Sequence, residues 1–244
     1  MELGTYEAEA RVEATHWWFT GRRKLFARII RKLPIGQEES VLDVGTSTGT
    51  NLRLLREMGF ENVTGLDRSE DAARFCAEKG LGSVKLGDVT QMSFGDETFS
   101  LVLATDIIEH IDDDAAALAE IRRVLRPNGS VLFTVPAFMS LWGLQDVVSH
   151  HKRRYRMRGF LERVRSAGLE PGEAFYFNYL LFAPIWSARQ VMKVVKHSVK
   201  SENELNADWL NTALGAVFDV DTRTAPWLRP PFGVSILVLA SKRS

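Results

Sequence analysis

The chain has 244 residues, 45% of them hydrophobic and 25% charged, a composition typical of one globular domain with a substantial core. Its 31 basic residues balance its 31 acidic ones, so no overall positive field attracts nucleic acid, and we expect no nucleic-acid partner. The single cysteine, Cys76, excludes an internal disulfide and a C-x-x-C site, and we predict no metal site.

The N-terminal segment MELGTYEAEARVEATHWW is acidic and lacks the apolar run of a signal peptide. The longest uncharged run, 174–188, is shorter than the roughly 20 residues that a membrane-spanning helix needs. We therefore expect a cytoplasmic protein.

From residue 38 onwards, apolar runs rich in β-branched residues alternate with helical patterns. Gly59 and Gly80 are predicted to end two helices, and Ser69 to cap the start of the second. Strands that alternate with helices pair in parallel through right-handed crossovers, so we predict a doubly wound α/β sheet. The predicted strands are 40–45, 62–67, 82–88, 99–106 and 130–136, and the predicted helices are 51–59, 69–80 and 114–125.

The alternation stops after Pro136, and this change divides the chain. Segment 138–155 is predicted to be irregular and to cross above the sheet. A helix at 157–168, a sixth strand within 169–178 and a last strand at 232–242 follow it. We predict an N-terminal helical cover (1–37), a core (38–177 with 231–244) and a helical insertion before the last strand (178–230).

Three successive strand ends carry residues that suit a nucleoside ligand. Gly45 and Gly49 let the backbone turn and approach a ligand, and the helix that follows offers free N–H groups. Asp67 ends the second strand, where a carboxylate can accept both hydroxyls of a ribose. Asp88 ends the third, where a carboxylate can accept from an adenine amino group. In open α/β sheets ligands bind at such ends, so the three together indicate an adenosine compound rather than a tight turn and two solvated carboxylates.

The motifs at these strand ends resemble a known family. VLDVGTSTGTN, GLDRS, GDVTQMSFGDETFSLVLATDIIEHI and EIRRVLRPNGSVLFTVP are similar to the successive motifs of class I S-adenosylmethionine-dependent methyltransferases, more narrowly of the small-molecule group called type 11. The resemblance covers about residues 38–137. It implies a Rossmann-like seven-stranded sheet of order 3-2-1-4-5-7-6 with an antiparallel last strand, S-adenosyl-L-methionine as cofactor and S-adenosyl-L-homocysteine as product.

The same resemblance assigns cofactor-binding roles. Asp43 and Gly45 are expected to shape the methionine end, Asp88 and Val89 to hold the adenine, and Thr105 to lie near the sulfonium. Asp67 is expected to take the ribose. The family usually has glycine where this chain has serine, so that side chain should narrow the loop or bond the carboxylate of the cofactor. The other predicted cofactor-binding positions are Thr46, Ser47, Gly49 and Arg68.

Other functions remain as alternatives. An NAD(P)-dependent oxidoreductase is remote, because GTSTGT does not give G-x-G-x-x-G and no Tyr-x-x-x-Lys follows. Familiar nucleic-acid methyltransferases are disfavoured, because TDIIEH stands where their [DNS]-P-P-[YFW] motif would be. A methyltransferase-like scaffold that binds the cofactor without turnover stays open, since no strong catalytic motif is present.

The segment DVVSHHKRRY (146–155) holds the candidate catalytic residues. It resembles a D-x₃-[GH]-H-x-R-R-Y segment of several relatives, which gives Asp146, His151 and Tyr155. A histidine can accept a proton near neutral pH and an aspartate can orient it. The alternative is that this loop only pins a lid by ion pairs. His110, in IIEHI, is interpreted as structural or near the cofactor.

The N-terminal motif HWWFTGRRK also resembles a signature of the subgroup. Trp18 is expected to cover the cofactor and Arg22 to pair with its carboxylate through a charge-assisted bond. Equally, the aromatic residues could pack against the sheet and leave the arginines solvated.

The insertion is predicted to serve the acceptor. Residues 185–200 are predicted to form a basic amphipathic helix with Arg189, Lys193, Lys196 and Lys200 on one stripe. Such a helix either lies on an anionic membrane or forms a lid or homodimer contact with a solvated flank; the second is favoured. Because FYFNYLLFAPIW precedes it, we expect a small apolar or aromatic acceptor, methylated at oxygen, nitrogen or carbon.

Overall fold

The computed structural model describes residues 3–82, 84–195 and 208–243, and within them one seven-stranded sheet forms the centre of the molecule. The strand order is β3-β2-β1-β4-β5-β7-β6, as predicted. β1 to β5 pair in parallel, and β7 runs antiparallel to both β5 and β6. The strands are β1 (Ser40–Val44), β2 (Asn62–Asp67), β3 (Val84–Leu86), β4 (Phe99–Thr105), β5 (Leu125–Pro136), β6 (Glu170–Phe177) and β7 (Ser235–Ser241).

Helices cover both faces of this sheet, because alternate residues of the buried strands point to opposite sides. Leu42 and Val44 of β1 pack in one core with α5 and α7, whereas Val41 packs in the other with α2, α3 and α9. The helices are α1 (Leu3–Val12), α2 (Trp17–Ile30), α3 (Thr50–Glu57), α4 (Glu70–Glu78), α5 (Asp114–Val124), α6 (Leu144–Val148), α7 (Met157–Ser166), α8 (Phe182–Val195) and α9 (Asp208–Leu228).

Most predicted boundaries agree with these elements to within a few residues, and the cap at Ser69 is formed, since its hydroxyl accepts from the Asp71 backbone N–H. The fifth strand differs, because it begins at Leu125 rather than at residue 130. The chain leaves α5 directly into an extended segment, and the pairing with β4 shifts register before Ser130. Asn128 has a left-handed φ of 63° there, which a short polar side chain tolerates.

Helix α2 packs closely on α9 through aromatic rings. Phe218 of α9 is fully buried and lies 5.2 Å from the Trp17 ring and 5.3 Å from the Trp18 ring. Trp18 also stacks on Phe177 of β6 at 6.1 Å. Gly21 of α2 presses against the Phe218 ring without a side chain of its own. The absent side chain is therefore what allows the two helices to approach.

A buried carboxylate fixes the start of the segment between β6 and β7. Asp221 of α9 accepts from the backbone N–H groups of Asn178 at 2.7 Å and Leu180 at 2.8 Å. Asn178 takes a left-handed φ of 58° at this point. The bond therefore anchors α9 to the end of β6.

The prediction of a solvated basic stripe on the insertion is wrong at Arg189. Its side chain is only 7% exposed, and it donates to the backbone carbonyl of Leu141. Long basic side chains can bury when they find acceptors, and this one does so on the 138–155 segment. The remaining positions of the stripe lie outside the described side chains. No helix in the described part of the chain is both long and apolar enough to cross a membrane.

Two glycine-to-alanine substitutions test the packing of α2 on α9. Gly21→Ala should destabilise the protein by about 1–3 kcal/mol, because a Cβ at that position collides with the Phe218 ring and overpacks the core. Gly215→Ala, on the facing helix, should stabilise it by up to about 1 kcal/mol, because its Cβ meets Trp17 at an ordinary 3.7 Å and alanine favours the helix. Urea unfolding of both variants checks this, and equal effects would contradict the close approach.

Candidate active site

A cavity of about 1260 Å³ lies at the carboxyl ends of β1, β2 and β4. Typical ligand pockets occupy roughly 300–1,000 Å³, so this cavity can hold more than one small molecule. Parts of α1, α2, the 138–155 segment and the 178–230 segment line it together with the strand ends. The strand ends form one half, and the 138–155 segment borders the other.

The loop after β1 forms the floor of the first half. Gly45 has φ of 73°, and a Cβ there would lie 2.8 Å from Ile107. Ser47 has φ of 50°, its backbone N–H donates to Asp67 at 2.9 Å, and its hydroxyl donates to Glu9 of α1 at 2.9 Å. The serine therefore bonds the N-terminal helix. Thr46 also lines the cavity, whereas Gly49 lies behind it as the positive-φ start of α3.

The end of β2 faces the cavity, and the end of β3 does so only in part. Both oxygens of Asp67 accept backbone N–H groups, from Ser47 and from Ser69, so the carboxylate has a fixed direction. Arg68 and Val89 line the cavity beside it. Asp88 is not part of the lining: it accepts from the hydroxyl and backbone N–H of Thr90, and these bonds lower its pKa.

Asp43 lies below the cavity and acts through Asn51. The Asn51 side chain donates to Asp43 at 2.9 Å and to Thr105 at 2.9 Å, and both Asn51 and Thr105 line the cavity. Burial raises the pKa of Asp43 to about 7 although the bond from Asn51 opposes the rise. Asn51 was not predicted, and its only signal is its position in the first turn of the helix after the loop.

Trp18 and Arg22 line the cavity, so both interpretations of their motif hold in part. Trp18 packs in the core, as described, and the Arg22 guanidinium lies over its ring at 5.3 Å. Arg22 also pairs with Asp106 at 2.5 Å and bonds Thr134 at 3.3 Å. Its Nε is buried and has no hydrogen-bond partner among the described residues. This donor is therefore unpaired, and a ligand reaches it only if the Arg22 side chain rotates.

At the other half of the cavity, Asp146 directs His151. Asp146 accepts from His151 Nδ1 at 2.8 Å and from Arg154 Nε at 2.8 Å. Burial acts to raise its pKa, but the bond from His151 and the charge of Arg154 lower it to about 2. The carboxylate is therefore ionised at neutral pH, and His151 Nε2 is left on the side of Glu109, 3.9 Å away.

Two further residues of the 146–155 segment, Tyr155 and His150, bear on the conformation of the segment. Tyr155 is not among the lining residues: its hydroxyl donates to Asp114 at 2.9 Å, and burial raises its pKa. The structure thus does not bring Tyr155 to the cavity. His150 has a φ of 56°, a left-handed conformation that glycine adopts more readily than histidine.

Glu109 was not predicted as a site residue, although it stands in the IIEHI motif. Its side chain is fully buried beside the cavity, and neither oxygen has a hydrogen-bond partner among the described residues. Burial, and then the charge of Asp106, raise its pKa well above the usual value. The His110 ring stands perpendicular to that of His151 at 4.6 Å, and burial lowers its pKa to about 3.

The apolar and aromatic pocket lining that the segment FYFNYLLFAPIW predicts is only partly present among the described residues. Phe175 and Phe177 are buried in the core rather than in the lining. Ile185 and Leu214 contribute apolar surface. Polar side chains join them there: Gln145, Ser149, Arg154, Asn178 and Arg189. The buried oxygens of Gln145 and Asn178 have no hydrogen-bond partner within the described ranges.

Comparison with known proteins gives a consistent assignment for the core of the chain. Residues 42–133 match the family model described as a methyltransferase domain. The malonyl-[acyl-carrier protein] O-methyltransferase of Serratia marcescens is 36% identical over 111 residues, which cover 44% of this chain and 42% of that enzyme. The chain spans less than half the length of the curated relatives it matches.

Solved structures agree on the fold. A complex between the Haloferax volcanii Trm112 methyltransferase activator and a methyltransferase matches with a TM-score of 0.65 and 19% identity, over 99% of this chain and 95% of that one. Phosphoethanolamine N-methyltransferase 2 of Haemonchus contortus, in complex with S-adenosyl-L-methionine, matches with a TM-score of 0.60 and 19% identity, over 91% and 52% of the two chains.

Substitution of Asp146 tests the polar cluster. Asp146→Asn should destabilise the protein by about 3 kcal/mol or more, because the buried guanidinium of Arg154 loses its counter-charge. Asp112→Asn is the matched control, since that carboxylate is 83% exposed and pairs with Lys152 at the surface; its effect should stay within about 0.5 kcal/mol. Chemical unfolding at pH 7 measures both, and a small effect of Asp146→Asn would contradict the role given to this pair.

Proposed function

Because the chain belongs to the class I S-adenosylmethionine-dependent methyltransferases, we propose that it transfers the methyl group of this cofactor to a small molecule held in the same cavity. One observation carries the proposal. A fixed carboxylate at the end of β2, Asp67, and an oriented imidazole, His151, line the same cavity. That is where a cofactor ribose and a reacting acceptor are expected.

The cofactor half offers groups that suit each part of the ligand. Asp67 accepts from the ribose hydroxyls, Val89 packs against the adenine, and the Arg22 guanidinium pairs with the cofactor's carboxylate after a rotation of its side chain. Asp43 contributes through Asn51, which it orients toward Thr105. Asp88 acts on the adenine only if its side chain leaves Thr90, so its part in the proposal is secondary.

The acceptor half suits a small molecule with both polar and apolar parts. Ile185 and Leu214 offer apolar surface, whereas Gln145 and Asn178 are polar side chains of the same lining. A wholly apolar acceptor would remove water from the polar lining without replacing its hydrogen bonds, at a cost in binding free energy. We infer an acceptor that donates hydrogen bonds and carries the nucleophile as a hydroxyl or amine.

Methyl transfer is an in-line displacement, so the chain mainly aligns the nucleophile with the methyl group and the sulfur. Asp146 holds His151 with Nδ1 as the donor, which leaves Nε2 to take the acceptor's proton. Asp146 is thus a positioning residue. Similar proteins include an O-methyltransferase and an N-methyltransferase, so similarity to them does not identify the atom that is methylated. That atom depends on the acceptor.

Cofactor binding is the first test of the proposed function. Calorimetry should show micromolar binding of S-adenosylmethionine, about −8 kcal/mol at 1 μM. Asp67→Ala should weaken it more than about tenfold, because the ribose hydroxyls lose a charged acceptor worth roughly 1.5–3 kcal/mol per bond. Asp71→Ala, four residues along and paired only with Arg74 among the described residues, is the control and should bind like the wild type. Absence of binding to the wild type would refute the assignment.

Turnover is the second test, and it needs an acceptor found by screening phenols, alcohols and amines with labelled cofactor. His151→Ala should reduce kcat by about 10²-fold or more while cofactor affinity stays nearly unchanged. His150→Gly is the control, because it removes the exposed neighbouring imidazole and suits the left-handed backbone. Full turnover by His151→Ala would leave that residue a structural part of the loop. Tight cofactor binding without turnover on any acceptor would favour the scaffold alternative.

A further inference from the structure

Three potential metal ligands converge beside the cavity at the end of β4. Glu109, His110 and His151 each place one ligand atom within 4.8 Å of the others, and His151 Nε2 lies 3.9 Å from a Glu109 oxygen. His110 and His151 also line the cavity. Two imidazoles and one carboxylate are a common donor set for divalent transition metals.

Glu109 gives an independent sign that a cation is bound there. Its side chain is fully buried, yet neither carboxylate oxygen accepts a hydrogen bond from any described residue. In the described part of the chain, its one neighbour within ion-pair distance is His151 itself. Buried carboxyl groups are normally protonated, paired, hydrogen-bonded or bound to a metal, and the one ion-pair contact of Glu109 among the described residues is to another candidate ligand.

His151 is held from outside the cluster, as metal-binding histidines usually are. Asp146 accepts from Nδ1 of His151 at 2.8 Å, so Nε2 is directed toward Glu109. The His110 ring packs edge-on against the His151 ring, with 4.6 Å between the ring centroids. The His151 ring is therefore oriented through Nδ1 and keeps Nε2 for a ligand bond.

We propose that Glu109, His110 and His151 bind a divalent transition-metal ion. Ligands of one such ion lie about 3 Å apart, because each bond is about 2.0–2.2 Å, so the three atoms have to close by roughly 1–2 Å when the ion binds. Rotation of the three side chains can supply this. Mg²⁺ is disfavoured, because it prefers oxygen ligands throughout.

The binding site is inferred from geometry alone, whereas its use in catalysis rests on the proposed function. Three protein ligands leave positions open toward the cavity, where an acceptor hydroxyl can bind the ion. Such a hydroxyl is more acidic, so its proton passes to solvent water without the imidazole. The oxygen then forms its bond to the methyl carbon as the carbon–sulfur bond breaks, and S-adenosylhomocysteine leaves. In the metal-bound enzyme Nε2 of His151 is a metal ligand, so the proton-accepting role proposed above for this nitrogen belongs to the metal-free enzyme alone.

Metal binding tests the site directly. The protein is stripped with a chelator and titrated with CoCl₂, and binding is followed by calorimetry and by the visible absorption of cobalt. We expect one equivalent to bind with micromolar or lower Kd and an absorption that reports nitrogen ligation. Glu109→Gln and His110→Asn should each weaken binding more than about tenfold. Asp112→Asn, which removes the same charge from an exposed neighbour, and His150→Gly should bind like the wild type.

The results of these titrations separate the metal site from the proposed function. Absence of saturable binding, or equal affinity in Glu109→Gln and wild type, overturns the site; circular dichroism of the variants excludes loss of fold as the cause. Weaker metal binding in His110→Asn with unchanged binding in Glu109→Gln also overturns the proposed set of three ligands. Titration of the stripped protein with S-adenosylmethionine separates the two proposals. If the protein binds the cofactor but no metal, the proposed function stands without the metal site. If it binds metal but not the cofactor, only the metal site stands.

Discussion

The acceptor half of the cavity depends on one buried ion, the carboxylate of Asp146. It has no solvent exposure, and taking such a charge out of water costs several kcal/mol unless partners compensate it. His151 and Arg154 supply two of them, Gly143 donates its backbone N–H at 2.8 Å, and Arg189 of α8 lies 3.8 Å away. The same bonds that neutralise the carboxylate close the 138–155 segment over the sheet and tie α8 to it. The direction of the imidazole is therefore set by the electrostatic requirements of its neighbour.

Glu109 is a second buried carboxyl group at the cavity, and its oxygens accept no hydrogen bond that would compensate a charge among the described residues. Its carboxyl group and that of Asp146 lie on opposite sides of the His151 ring, yet their environments move the two pKa values apart, about 2 for Asp146 and well above the usual value for Glu109. Pairs of carboxyl groups separated in this way are a common sign of a working site. A proton or a cation is needed at one of them, and the structure leaves only Glu109 without a fixed partner among the described residues.

The sequence predicts the fold well, because the periods of strands and helices are local. It also predicts that Asp67 and His151 lie at one cavity, because strand ends and loop order decide where a residue lies, whereas the roles given to them stay predictions. It does not predict which way a side chain turns. Tyr155 bonds Asp114, which lies 41 residues away in the chain, and so leaves the cavity. Asp88 accepts hydrogen bonds from Thr90, two residues further along the chain. The alternation of strands and helices does not show that Thr90 competes with a ligand for this carboxylate. The direction of a polar group depends on its partners, and these become known only when distant segments pack.

The charges of the cofactor half give the proposed reaction a direction. Burial raises the pKa of Asp43, below the cavity, to about 7 and also raises that of Glu9, which lines the cavity, so ionisation of either carboxyl group is unfavourable. A sulfonium brought close to them favours the ionised forms, and each ionised carboxylate in turn attracts the sulfonium. Transfer of the methyl group leaves a neutral sulfur and removes this mutual stabilisation. In the proposed reaction the methyl donor is therefore held by an electrostatic attraction that the product lacks, and that difference assists release of the product once the bond to the acceptor has formed.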